Sequence, residues 1–190
     1  MCGNACESVT HITSACQKLA QTQYKQRHDK VGKKIHWLLY KKYNLECTNK
    51  WYQHNPEPVA ENEEVKMLWD FMIQTDRVIE HRRSDIVVVE KIGGKCFIID
   101  IAVPGDHNVQ QKELEKKTKY EDLRIEIARL WNKEVSVIPI VVGAMGTLTA
   151  NLKKNLKELG LPNVIPCLQK SALLGTASIL RRTLGISGSG

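Results

Sequence analysis

Two apolar runs limit what this chain can build. Residues 85–90 read DIVVVE, residues 96–103 read CFIIDIAV, and Gly93-Gly94 lies between them. β-Branched residues at that density, divided by a glycine pair, predict a β-hairpin. The second run is apolar at nearly every position, the pattern of a strand covered on both faces. Asp100 interrupts it. A lone carboxylate in such a layer is strongly disfavoured unless it is paired or bound to a metal.

Asp85 opens the first run, with fourteen residues between it and Asp100. The turn decides whether the two meet. A four-residue loop over 91–94 sets Asp85 opposite Asp100. A two-residue Gly93-Gly94 turn makes them diagonal neighbours on one face, and a three-residue loop separates them unless a bulge intervenes. In both even cases the carboxylates lie about 5–8 Å apart. Like charges that close repel unless a cation joins them, and a hard divalent ion such as Mg²⁺ or Mn²⁺ meets that need. The competing reading is structural: Asp85 ends a strand and Asp100 takes a salt-bridge partner.

Around the hairpin, hydrophobic periodicity predicts an α/β core of strand, hairpin, helix and strand. MLWDFMIQTDRVI reads as strand, although its first half could also extend a helix, residues of about 108–132 as one long helix, and VSVIPIVVGA as another buried strand. Tyr120, Leu123, Ile127 and Leu130 make the helix's core stripe, and continuing it back three or four residues reaches Lys117 or Lys116. A lysine there points toward the carboxylates, where it would orient water and stabilise charge at a phosphate; the alternative is a stem snorkelling at a rim. Upstream, 17–45 reads as a basic helix with Val31, Ile35, Leu38 and Leu39 on one face and Lys33, Lys34, Lys41 and Lys42 on others. HNPEPVAENEE then breaks the pattern as a linker or edge. Two further helical segments precede the terminal SGSG.

A formal charge of +7 over 190 residues suits a polyanionic partner. No run reaches the roughly 18 apolar residues of a membrane span, and the N-terminus has no signal-peptide pattern. Six cysteines then read as metal ligands or core residues rather than disulfides. Cys2, Cys6, His11 and Cys16 have the spacing of a four-ligand zinc site, while Cys47, Cys96 and Cys167 read as core or surface. The abrupt start on a cysteine suggests a piece of a longer polyprotein.

The combination RRSDIVVVEK, CFIIDIAVPGD and KELEKKTKYEDL resembles the restriction-like endonuclease of site-specific non-LTR retrotransposons, a branch of the PD-(D/E)xK superfamily. The resemblance covers about 70–142. It implies a mixed sheet with a β-hairpin active site flanked by helices, and a Mg²⁺ (or Mn²⁺) site made by Asp85, Asp100 and the Ile101 carbonyl. Ser84 stands where the family has proline, and Asp100 is followed by Ile101-Ala102 rather than by the usual lysine. In this branch the lysine lies on the next helix in a K-x-x-Y pattern, which Lys117 and Tyr120 fit, with Lys116 and Lys119 as rivals. The branch also carries a CCHC zinc knuckle just before its nuclease; in that register Cys2 is the second ligand and Cys6 a substitute or bystander.

The implied activity is Mg²⁺-dependent nicking of target duplex DNA to a 3′-hydroxyl primer and a 5′-phosphate, in the nucleus, with element RNA a further partner of the full polyprotein and no small-molecule cofactor. Arg82, Arg83, Lys33, Lys34, Lys116 and Lys119 are the expected nucleic-acid contacts. The expected units are a knuckle at 1–16, a basic helical linker at 17–60, the endonuclease core at 61–145 and a helical extension at 146–190. Two rivals stand beside this one: a catalytically decayed nucleic-acid-binding module, and a branched-DNA resolvase of the same superfamily. Glu113 reads as a helix-surface residue or an outlying site member, and His107 as a turn residue.

Overall fold

A computed structural model describes residues 8–185. The predicted hairpin forms as β3 (Ile86–Glu90) and β4 (Lys95–Ala102), and its ladder pairs Ile86 with Ile99 and Val89 with Cys96. That register leaves 91–94 as a four-residue turn, with Gly94 at φ 71°, a conformation glycine adopts without strain. Asp85 therefore stands opposite Asp100, the first of the arrangements the sequence allows.

The hairpin is the middle of a five-stranded mixed sheet in the order β1 (Val59–Glu61), β2 (Val65–Trp69), β3, β4, β5 (Glu134–Val141). Pairing is antiparallel from β1 to β4 and parallel between β4 and β5. The parallel step needs a crossover, and α3 (Val109–Lys119) with α4 (Glu121–Trp131) supplies it. The expected single helix over 108–132 is thus two, parted at Tyr120 (φ −102°, ψ 9°). The expected strand across MLWDFMIQTDRVI stops at Trp69, because Asp70 turns at φ 48°; beyond it an isolated bridge joins Met72 to Arg83, flanked by backbone bonds from Asp70 N–H to Asp85 O and from Ile73 N–H to Arg82 O.

Alternation divides the sheet's apolar residues between two layers. Val88, Phe97, Ile99, Ile101 and Ile140 pack with Val31, Ile35 and Leu39 of α2 (Lys25–Lys42), with Leu156 of α5 (Leu152–Glu158) and with Leu168 and Ala172 of α6 (Ile165–Thr183). Val87, Cys96 and Ile98 face Tyr120, Leu123 and Ile127 on the other side. The basic helix is not a linker. Val31, Ile35 and Leu39 of its apolar stripe are fully buried in the same core as the hairpin, with Leu38 partly buried against it, and α6 joins that core too.

Before α2 the chain winds through π-type turns at His11–Ala15 and Ala20–Tyr24 around a single α-turn, α1 (Gln17–Leu19). Buried Arg27 ties this entry to the rest: its guanidinium donates to Thr13 O at 2.8 Å, Thr176 Oγ1 at 2.9 Å and Val103 O at 3.1 Å. Gly175 makes room for it, since a Cβ there would lie 2.6 Å from Arg27 Cγ.

Candidate functional site

β3 begins two residues too late to pair with Ile101 of β4. Its ladder starts at Ile86, so the N–H and C=O of Ile101 have no strand partner on that side. The Asp85 carboxylate takes the N–H (Ile101 N to Oδ2, 2.7 Å), and His28 Nε2 lies 3.1 Å from the carbonyl and 3.3 Å from the same Asp85 oxygen. The other His28 nitrogen, Nδ1, is 3.1 Å from Asp29 Oδ1.

Asp100 sits deeper, at 3% exposure, on the layer that faces α3 and α4. Tyr120 donates its hydroxyl to Asp100 Oδ1 at 2.5 Å, and the same phenol oxygen is 2.9 Å from Arg83 O. Lys116 Nζ lies 2.5 Å from Asp100 Oδ2; this is charge contact, since the oxygen has no hydrogen bond of good geometry. The Lys116 charge also acts on Asp85, so one ammonium serves both carboxylates.

The site's electrostatics follow from that packing. Burial opposes a charged imidazole at His28, but the hydrogen bonds and charges of Asp85 and then Asp29 outweigh it and lift the group to about 9. Burial likewise opposes the Asp85 charge; His28, the Ile101 N–H and Lys116 overcome it and hold the carboxyl below its ordinary range. Burial, reinforced by the charge and hydrogen bond of Asp100, pushes the Tyr120 phenol up, so it stays protonated as a donor.

No protein-family model and no curated protein matches this chain.

The structure brings together Asp85, Asp100, Ile101 and Tyr120 from the sequence expectation, and it replaces one lysine. Lys117 is exposed, whereas Lys116 stacks four residues before Tyr120 and reaches Asp100. Lys119 donates instead to the Tyr120 hydroxyl at 3.0 Å. Arg83 is clamped to Asp70, with both contacts at 2.6 Å, and half-buried Arg82 has its carbonyl bonded to the Ile73 N–H. Lys33 lines an open cavity of about 520 Å³ with Lys25, His28, Trp69, Arg83 and Asp85. Lys34 does not serve a phosphate: it is buried, its ammonium 4.7 Å from the Trp37 ring and 5.1 Å from the Trp51 ring.

Glu113 is neither surface nor site. It is buried and accepts hydrogen bonds from Thr149, Asn151 and Asn155. His107 is exposed in a 3₁₀ turn. Of the zinc expectation, Cys2 and Cys6 lie outside the described residues, His11 is in the first π-type turn and Cys16 is a buried free cysteine. Among the described residues no three His, Cys, Asp or Glu side chains already converge as a metal cage. Asp100's oxygens face Lys116 and Tyr120, while Asp85's contacts are His28 and Ile101.

His28 is the group the sequence reading missed. It sits three residues before Val31 and seven before Ile35, so a titratable ring rides on the buried stripe of α2. That placement was the available signal.

Proposed function

We propose that this chain is a divalent-metal-dependent DNA endonuclease domain of the restriction-like, PD-(D/E)xK type, acting within a retrotransposon polyprotein. The observation that carries the reading is a buried carboxylate, Asp100, set opposite Asp85 across a hairpin with a lysine and a tyrosine from the following helix upon it. Stability alone is a poor reason to keep such a group in an apolar strand, whereas paired carboxylates beside a lysine suit phosphoryl chemistry.

The donor set fits Mg²⁺ or Mn²⁺: two carboxylates and the Ile101 carbonyl are hard oxygens. Such an ion would be held by Asp85, Asp100 and Ile101 and supplies Lewis acidity toward the phosphate and a nearby water. The protein's own groups do the rest. Tyr120 fixes one oxygen of Asp100 and leaves the other toward Lys116. Lys116 offsets charge growing on the scissile phosphate and orients the attacking water. Water attacks phosphorus, the bond to the 3′ oxygen breaks, and the products are a 3′-hydroxyl and a 5′-phosphate. Lys25, Lys33 and Arg83 around the adjoining cavity give the strand's phosphates a basic rim.

Cys2, Cys6, His11 and Cys16 are assigned in the same reading to zinc, as a knuckle preceding the nuclease. The test is supercoiled plasmid incubated with the protein in Mg²⁺ and in EDTA. Open-circular product in Mg²⁺ alone supports the assignment. Salt-sensitive binding without cutting in Mg²⁺ or Mn²⁺ would instead favour a decayed binding module, and preference for four-way junctions over linear duplex a resolvase.

A further inference from the structure

Helix α2 puts a nitrogen where the hairpin offers oxygens. His28 Nε2 lies 3.3 Å from Asp85 Oδ2 and 3.1 Å from Ile101 O. In a six-coordinate ion with bonds near 2.1 Å, neighbouring ligand atoms stand about 3 Å apart. The two separations match that edge length to within a few tenths of an ångström, so His28 can share an ion with the Asp85 and Ile101 oxygens with little movement of its ring. The far side of the ring is prepared as well: Nδ1 lies 3.1 Å from Asp29 Oδ1. Histidines that bind metal characteristically give their other N–H to a carboxylate in this way, which fixes the tautomer and turns the free nitrogen to the ion. The ring is also accessible, with 29% of its side chain exposed beside the cavity that Lys25, Lys33, Trp69 and Arg83 border. Hydrogen bonding to Ile101 alone would not need the Asp29 support.

We propose that His28 is a nitrogen ligand of the divalent-ion site, oriented by Asp29, and that it tilts the site's preference from Mg²⁺ toward Mn²⁺. This rests on the reading of Asp85 and the Ile101 carbonyl as metal ligands. Mg²⁺ gains little from imidazole because it holds to oxygen and to its waters, whereas Mn²⁺ accepts a mixed oxygen and nitrogen set.

The probe is Mn²⁺ alone with the full chain. Electron spin-echo envelope modulation of bound Mn²⁺ distinguishes the strong ¹⁴N coupling of a coordinated imidazole nitrogen from the weak coupling of nearby uncoordinated nitrogens, and the strong modulation is the readout. The parent shows that modulation. His28→Asp, which puts oxygen in place of nitrogen, still binds Mn²⁺ but loses the modulation, and its Mn²⁺-over-Mg²⁺ preference in competition titrations falls. Asp29→Asn keeps the modulation and weakens Mn²⁺ binding about tenfold. Mn²⁺ bound by the parent without strong ¹⁴N modulation, or strong modulation that survives in His28→Asp, overturns the role of His28 and leaves the carboxylate site standing. A parent that binds no Mn²⁺ overturns both this inference and the metal-site reading beneath it.

Discussion

Replacing Lys116 by methionine strips a buried carboxylate of its cation while keeping the aliphatic stem in place. The ammonium is 2.5 Å from Asp100 Oδ2, and the two side chains are only 15% and 4% exposed. At an effective dielectric of 20 the gross attraction over that distance is about 7 kcal/mol. Much of it offsets the desolvation of both groups, and removing one partner of a buried pair costs about 3–5 kcal/mol. Tyr120 still donates to the other oxygen and the lysine retains some contact with water, so the lower end, about 3 kcal/mol, is expected. Urea unfolding followed by tryptophan fluorescence reads this directly: with a slope near 2 kcal/mol/M the midpoint falls by about 1.5 M. Lys117→Met, on the exposed side of the same helix, stays within about 0.5 kcal/mol of the parent. In the nicking assay Lys116→Met is silent and Lys117→Met cuts normally. Equal midpoints and equal cutting for the two variants, or loss confined to Lys117→Met, would refute the assignment.

Three further outcomes follow from the same structure. Arg27→Met leaves two buried acceptors and one partly buried acceptor without their donor and is expected to lower stability by about 3 kcal/mol in the same unfolding assay. Buried His36, its Nδ1 2.7 Å from His54 Nε2, is driven down to about 3 by burial and then by His54. The unfolded imidazole takes its proton near 6.5, so stability is whole above that pH and is lost as pH falls toward 3; by pH 5 the deficit is about 2 kcal/mol, and His36→Asn should flatten the slope between pH 5 and 6.5. Purified full-length chain should carry about one zinc by mass spectrometry of metals, and Cys16→Ser should reduce it.

Much of this was legible from residue pattern alone. The apolar runs on either side of Gly93-Gly94 announced the hairpin, and the parity of its turn confined Asp85 and Asp100 to a few arrangements. Choosing among them needed the register, because several turn lengths fit the same letters. Lys116 and Lys117 stand four and three residues before Tyr120, a difference that helical spacing cannot resolve. The break at Tyr120 had no glycine or proline to mark it, and its side chain instead turns inward to Asp100 and Arg83 O. His28 meets Ile101 across 73 residues of sequence, so only tertiary packing reveals the contact. The basic helix looked like a linker by charge, yet Val31, Ile35 and Leu39 made it core. Lys34 went the opposite way from its charge, into an aromatic pocket.

The most direct test of the account lies in one oxygen-for-nitrogen exchange. Asp100→Asn keeps the shape of the side chain and its contact with Tyr120 while removing the charge that would hold the ion. Its nicking of supercoiled plasmid in Mg²⁺ should be absent under conditions where the parent converts the plasmid to open circle, with circular dichroism and duplex binding close to the parent's. Nicking by Asp100→Asn at the parent's rate would contradict the claim that this buried aspartate holds a catalytic metal.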